Sequence, residues 1–414
     1  MVKDIGFKAY TSVDDAIERI MKTLHPLGTE DVSVYNCWGR VLARNVVAEF
    51  DIPPFDRAAM DGYAVKAEDT FGASQVSPII LKVIGTAEVG IATNLEIKSG
   101  EAVRVFTGSA IPKGADAVVM LEHTRRVNEF IEVLKSVTPF KNVSRKGEDV
   151  KKGEIILRKG EILQPQDAGI LASLGFKSVE VYKKPRVAVI STGNELVEVG
   201  EKIDFGKIYN SNNPMICNAL AEHGFEANSL GIARDSVGEI EKKLLEALKF
   251  DVVIFTGGTS VGAHDLVPEV VSKKGKIIFH GVAMKPGMPT AFGIVNGKPV
   301  FMLPGSPAAT LLAFYTFVVP ALYRMMNVKI LHRKWSIKKG VLQARIPSET
   351  GIRSNVRVYW ENGKIYPVRI SGSGILSSFV RANALLRIPE NLEGYEAMEE
   401  VEVILLREIT EVFE

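Results

Sequence analysis

Three short β-branched runs, each stopped by glycine, constrain this chain more than any other feature: RVAVISTG at 186–193, DVVIFTGG at 251–258 and PVFMLPG at 299–305. Runs this apolar, without polar alternation, suit strands buried on both faces, as in a parallel sheet covered by helices. Helical patterns lie between them. Pro214 to His223 is followed by Gly224, and Val237 to Leu248 follows Asp235 and Ser236, which are helix start and stop signals. The spacing predicts a doubly wound α/β unit over residues 184–327. A chain of 414 residues is too long for that unit alone.

Segments 76–135 and 335–409 show short alternating strands punctuated by Gly, Pro and Asn, the texture of two mostly β modules. Residues 140–182 hold KGEDVKKGEIILRKGEIL, a glycine-turn hairpin pattern, then a short helix from Gln166 to Leu174 that ends at Gly175. At the N-terminus, Ser12-Val-Asp-Asp15 precedes Ala16, Ile17, Ile20, Met21 and Leu24, a capped amphipathic helix in place of an export signal, expected to pair with residues 140–182. Pro307 to Tyr323 is uncharged and apolar enough to raise a membrane question. It carries Thr310, Tyr315, Thr316 and a breaking Pro320, so a buried core helix is expected.

With 24% charged residues and a formal charge of +2, the chain has no basic face for nucleic acid. Cys37 and Cys217 are far apart and outside any CxxC or Cys/His cluster, which excludes a disulfide framework and a zinc site and fits a reducing cytosol.

Ligands of an open parallel sheet bind beyond the carboxyl ends of its strands, where all three glycine loops fall. Thr256-Gly257-Gly258-Thr259-Ser260-Val261-Gly262 frees backbone amides at a helix start, and Pro304-Gly305-Ser306-Pro307 offers Ser306 as N-cap with Pro307 at N1. Each loop alone is more often structural than phosphate-binding; three at one sheet edge shift the balance toward a site. Glu195 in STGNEL and Asp265 in SVGAHD could hold Mg²⁺ between phosphates, although Asp265 could also cap a helix. Asp235 in GIARDS caps the following helix or touches a nucleotide, with capping the safer reading. Lys285 in AMKPGMP stands before Pro286 and Pro289, a rigid turn that presents one cation to an oxyanion or to solvent. In PPFDRAAMDGYAV, at 53–65, Asp56 and Asp61 flank a small-residue turn that packing does not explain. Thr107-Gly108, Glu148 and Asp149 add polar groups at turns that ordinary turn chemistry explains equally well.

Seven strings in order, PFDRAAMDGYA, TGSAIPKGADAVV, RKGEDV, STGNEL, TGGTSVGAHD, MKPGMP and LPGSPA, resemble the molybdopterin molybdenumtransferase family, that of MoeA and the gephyrin E domain. The resemblance spans essentially the whole chain. It implies a multidomain α/β plus β fold: a discontinuous linker domain at 1–50 and 140–183, a β insertion domain at 51–139, a doubly wound molybdopterin-binding domain at 184–327 and a C-terminal β domain at 328–414. It further implies a cytoplasmic homodimer whose cleft joins the α/β domain of one subunit to other domains of its partner.

By the same resemblance, Asp61, Asp149, Glu195 and Asp265 match the family's active-site acids, with Glu195 and Asp265 toward Mg²⁺. Lys285 matches the first lysine of its KPGKP turn, Leu303 to Pro307 its LPGNP turn, and Ser373 the serine of its C-terminal motif. Thr107, Glu148, Asp235 and the Gly257–Gly262 loop would contact substrate. Arg353 and Arg357 both suit the oxyanion arginine, and Arg357 is preferred. Met288, Ser306 and Ala58 replace a lysine, an asparagine and a serine usual in the family.

The implied reaction inserts molybdate or tungstate, tetrahedral dianions of nearly equal size, into adenylylated molybdopterin with release of AMP. Lys285, Arg357 and the Pro289 turn would hold the oxyanion while the Gly257 loop and Mg²⁺ neutralise phosphate. Contact with other molybdenum cofactor biosynthesis proteins would supply the pterin. The competing readings are the related adenylyltransferase, a non-catalytic dimeric scaffold, and a hydrolase of similar fold. The flanking modules speak against the adenylyltransferase and the retained acids against the scaffold; the hydrolase would release AMP without oxyanion.

Overall fold

The structure, a computed structural model, describes residues 10–259, 266–328, 336–369 and 374–406. It forms two compact units, residues 31–181 and residues 1–30 with 182–414. The second unit opens with helix α1 (Val13–Thr23), whose cap Ser12 accepts the Asp15 N–H at 3.1 Å and whose buried stripe is Val13, Ala16 and Ile20.

The unit of residues 31–181 is built on β1 (Gly62–Val65), β2 (Ile79–Ala87), β3 (Glu101–Val105), β4 (Ala117–Met120), β5 (Thr124–Val127) and β6 (Phe130–Val133), in the order β4-β1-β3-β2-β6-β5. Both faces are covered. Tyr63, Val65, Ala117 and Val119 enter one apolar core, and Ala64, Val103, Val105 and Val118 enter the other. Ala58 lies in that second core at 1% exposure, where an alanine suits its apolar neighbours better than a hydroxyl would. Gly62 is required because a Cβ there would stand 2.0 Å from the Val119 carbonyl oxygen.

The glycine-rich stretch does not fold into the local hairpins expected of it. Its turns dock one after another along residues 42–56. The pattern Arg/Lys-Lys-Gly-Glu occurs at 145–148, 151–154 and 158–161, and each glutamate accepts the amide three residues earlier, at 2.9, 3.2 and 3.1 Å. Gly147, Gly153 and Gly160 take φ of 69°, 89° and 91°, a region open to glycine at little cost. Their amides donate to the carbonyls of Pro53, Ala48 and Leu42. The lysine amides before them donate to side-chain oxygens of Asp56, Asp51 and Asn45 at 2.7, 2.8 and 2.8 Å. A hairpin pattern read locally misses this because the partners lie about a hundred residues upstream. Helix α2 (Pro165–Ser173) follows, closed by Gly175 at φ 78° as the sequence indicates.

In the other unit β7 (Val187–Thr192), β8 (Ala227–Ala233), β9 (Val252–Thr256), β10 (Lys276–His280), β11 (Met284–Lys285), β12 (Ala291–Val295) and β13 (Lys298–Leu303) follow in chain order. All but β11 form one sheet ordered β8-β7-β9-β13-β12-β10. Every residue of β7 and β9 is buried. The first four strands in that order are parallel, as expected; β12 runs antiparallel to both of its neighbours, β13 and β10. The reason is Asn296-Gly297, both at positive φ, 50° and 75°, which turns β12 directly into β13 as a two-residue hairpin.

Helices α3 (Asn212–Glu222), α4 (Val237–Ala247) and α5 (Leu266–Lys274) cover the strands; α4 and α5 share one apolar core with β7 and β9. Helices α6 (Pro307–Ala313) and α7 (Val319–Met325) complete the unit. Pro320 does not break this helical run. A π turn at Phe314–Val318 lets the Val319 N–H reach back five residues to the Phe314 carbonyl, which absorbs the missing proline donor. The run Pro307–Met325 is long and apolar enough to cross a membrane, but 67% of it is buried in protein, including contacts with α1.

The last strands, β14 (Ile337–Leu342), β15 (Arg353–Glu361), β16 (Lys364–Arg369), β17 (Ala384–Ile388) and β18 (Glu400–Leu405), run β11-β15-β16-β14-β18-β17 and close through β15–β17 pairing. Helix α8 (Ser377–Arg381) lies beside them.

Glu154→Ala removes one docked-turn hydrogen bond, worth about 1 kcal/mol. Calorimetry should show a melting transition about 2–4 °C lower; an unchanged transition would mean that the turn is held without its carboxylate.

Candidate active site

The chain runs from β7 outward to β8, then crosses back to β9 on the other side, so the switch point of the sheet lies between β7 and β9. The loops beyond β7, β9 and β13 meet there because glycine lets their backbones touch. Gly257 has φ 96°, and a Cβ on it would stand 2.6 Å from the Thr192 carbonyl oxygen. A Cβ on Gly305 would meet the Gly257 Cα at 3.3 Å. The Gly257 N–H donates to the Leu303 carbonyl at 3.0 Å. The Thr259 hydroxyl, 1% exposed, approaches the same oxygen at 3.4 Å. These loops enclose a cavity of about 450 Å³ with Glu195, Asp235, Asn210, Asn212, Gly258 and Pro304 in its wall.

Glu195 folds back over Gly193, and a Cβ on that glycine would fall 2.5–2.7 Å from the carboxylate. Asp235 does not cap α4. Ser236 does, accepting the Glu239 N–H at 3.3 Å, while Asp235 Oδ2 accepts the Asn194 N–H at 2.9 Å and fixes the STGNEL loop. Ser306 is the N-cap of α6 with Pro307 in its first turn, yet its hydroxyl makes no capping bond.

Sequence reading missed Asn210 and Asn212. Asn210 Oδ1 accepts the Asn213 N–H at 3.4 Å and Asn212 Nδ2 donates to the Gly305 carbonyl at 2.7 Å, which orients both amides. Asn210 Nδ2, Asn212 Oδ1 and Thr192 Oγ1 are left without partners although buried. Orphaned groups of this kind cost about 1–3 kcal/mol each, and three around one cavity mark a polar ligand edge. The signal was the run NSNN at 210–213, which reads as ordinary helix capping. Among the described residues no three His, Cys, Asp or Glu side chains cluster as a metal centre. The cavity's oxygen donors, Glu195 with Asn212 Oδ1 and Thr192 Oγ1, are nevertheless the hard set that suits Mg²⁺ shared with phosphate and water.

A second cavity of about 570 Å³ adjoins the first, and Pro289 and Ser306 line both. It is built by β11 pairing in parallel with β15, Lys285 opposite Ser354, so that the turn from Pro286 to Pro289 faces Asn355 and Arg357. Lys285 Nζ donates to Glu349 Oε1 at 2.7 Å. Arg357 is 1% exposed, with Nε directed to Ser378 Oγ at 3.2 Å. Arg353 is instead taken up by Asp14 and Glu390, each at 2.9 Å. Met288 forms part of the apolar wall.

In the unit of residues 31–181, Asp61 and Thr107 come together where β1 begins. Asp61 Oδ1 accepts from both the Thr107 N–H and hydroxyl at 2.7 Å, and these two bonds, the hydroxyl's first, hold its carboxyl below the usual range. Glu148 is occupied differently. The Ser144 hydroxyl and then the Arg145 amide lower its pKa, and Glu154 and Glu161 hold the same turn position. Asp149 is exposed beside it. Ser260, Gly262, Asp265 and Ser373 lie outside the described residues.

Comparison with known proteins agrees along the chain. Residues 11–175 match the MoeA N-terminal region (domain I and II), 188–324 a probable molybdopterin binding domain and 339–406 the MoeA C-terminal region (domain IV). A putative molybdopterin biosynthesis protein of Methanocaldococcus jannaschii is 42% identical over 388 residues, 91% of this chain and 92% of its own. A molybdopterin molybdenumtransferase of Staphylococcus aureus is 35% identical over 399 residues, 95% of each chain. The solved moeA protein of Pyrococcus horikoshii superposes with a TM-score of 0.79 at 39% identity, covering 96% of this chain and 100% of its own.

The Asp61 pair has a pH consequence. A carboxyl depressed by folding contributes stability that is present above its unfolded pKa, about 3.9, and lost as pH falls through the folded value. Thr107→Val should raise the Asp61 pKa toward that unfolded value in a carboxyl-carbon NMR titration. An unmoved pKa would show that Thr107 does not set it.

Proposed function

The chain belongs to the MoeA family and is a transferase of molybdenum cofactor biosynthesis, and on that premise we propose that it inserts molybdate or tungstate into adenylylated molybdopterin and releases AMP. The observation that carries this reading is the shared wall of the two cavities. One offers glycine-loop amides and orphaned polar atoms at the strand ends; the other offers Lys285 and Arg357. A reaction that joins an oxyanion to a phosphorylated pterin needs two anion sites side by side, and Pro289 with Ser306 separates them by a single layer.

In this mechanism the amides of the Gly257 loop orient phosphate oxygens without adding charge. Lys285 exchanges Glu349 for the oxyanion, and Arg357 supplies a guanidinium already buried and positioned. Glu195, lying over Gly193, accepts a proton from the water that cleaves the phosphoanhydride into AMP and the pterin monophosphate. The two dithiolene thiols bond to the metal as one oxo oxygen leaves with their protons as water. Mg²⁺ held by Glu195, with Asp265 from the sequence motif, would supply charge neutralisation at the phosphates. The enzyme works in the cytosol as a homodimer and receives its pterin from other proteins of the pathway; its two cysteines, both free thiols, accord with a reducing compartment.

AMP release from adenylylated molybdopterin tests the reading directly. Release that depends on molybdate or tungstate supports it; release without either oxyanion indicates a hydrolase, and no release contradicts it. Glu195→Gln should lower the rate by about 10²-fold or more while the protein stays folded, because Glu195 is an exposed loop residue. Lys285→Ala should raise the oxyanion concentration required more than it weakens pterin binding; equal losses would assign Lys285 to phosphate.

A further inference from the structure

We propose that Asn355 is a further oxyanion-binding residue, a neutral donor that completes the Lys285 and Arg357 cavity; the proposal rests on the oxyanion reading of that cavity. Along β15 successive side chains alternate, so Arg353, Asn355 and Arg357 share one face, while Val356 and Val358 enter the barrel core. Arg353 is spent on Asp14 and Glu390. Asn355 and Arg357 both line the cavity, and the main-chain carbonyl of Asn355 accepts from Arg357 Nη1 at 3.5 Å.

Asn355 is 4% exposed, and its Nδ2 is shielded from solvent without a hydrogen-bond partner. An asparagine kept for structure would have that donor satisfied. Of the other side-chain donors around the cavity, all but the Ser306 hydroxyl are engaged. Lys285 bonds Glu349, the Ser348 and Ser354 hydroxyls bond each other at 2.8 Å, and Arg357 Nε faces Ser378. Met288 and the prolines of the turn contribute none. An incoming tetrahedral dianion must displace those bonds, whereas the Asn355 N–H gives up nothing, so its bond to oxygen is nearly all gain. The amide torsion of asparagine is broad, so the amide can reorient to meet a ligand in the cavity that Asn355 lines.

The test is equilibrium binding of sodium molybdate and sodium tungstate to the full-length protein by calorimetry, with melting curves of the ligand-free proteins. Asn355→Ala should weaken oxyanion binding about tenfold, leave AMP affinity unchanged, and leave the ligand-free melting temperature unchanged or higher. Asn355→Asp, of the same shape, should weaken binding more than about 100-fold, because a carboxylate beside Arg357 takes its charge and repels the dianion. Wild-type affinity in Asn355→Ala overturns the proposal, as does a fall in melting temperature with oxyanion affinity retained. Wild-type protein that binds neither oxyanion overturns the function above and this proposal with it; wild-type binding with an indifferent Asn355→Ala overturns this proposal alone.

Discussion

The close approach of three backbones at the carboxyl ends of β7, β9 and β13 is the constraint on which the site depends. Gly257 lies against the Thr192 carbonyl and beneath Gly305, at separations where a methyl group would collide. That contact sets the loop amides around one small cavity and positions Ser306 and α6, whose start also borders the second cavity. A Cβ at position 257 would collide with the Thr192 carbonyl and disturb the loop contact that walls the first cavity. The packing around Gly305 therefore bears on both cavities, because Ser306 next to it lines each of them.

The polar groups around these cavities follow a different logic from those of the turn ladder. In the turn ladder of residues 145–161, each glutamate, glycine amide and lysine amide has a partner. At the cavities, Thr192, Asn210, Asn212 and Asn355 each bury a donor or acceptor that bonds to nothing. A folded chain tolerates such groups, at about 1–3 kcal/mol each, where a ligand later satisfies them. Arg357 differs from them in having partners, its Nε directed to Ser378 Oγ, yet it too is a charged group withdrawn from water in a cavity wall.

Much of this was legible in the sequence. The apolar runs of β7, β9 and β13 announce strands buried on both faces, their glycine ends announce the cavity, and seven ordered motifs announce the family. What escaped depended on distant or competing chemistry. Asn296-Gly297 reverses the sheet edge, but its hairpin signal was lost beside the parallel pattern. Pro320 reads as a breaker until the π turn before it is seen. Asp56 accepts the Lys146 amide of a docked turn 90 residues away, and Glu148 accepts the Arg145 amide within its own turn, bonds that a local reading of either motif does not show. Asn210, Asn212 and Asn355 were passed over because asparagine at a helix start or in a strand has ordinary explanations; only the missing partner distinguishes them.

The central claim is that two adjoining cavities hold the two anions of one reaction. Its most direct test is anomalous diffraction at the tungsten edge from crystals grown with tungstate and AMP. The account predicts a tungsten peak in the cavity lined by Lys285, Asn355 and Arg357, with the nucleotide phosphate beyond Pro289 against the Gly257 loop. Tungsten at the Gly257 loop, or phosphate in the Lys285 cavity, would contradict it.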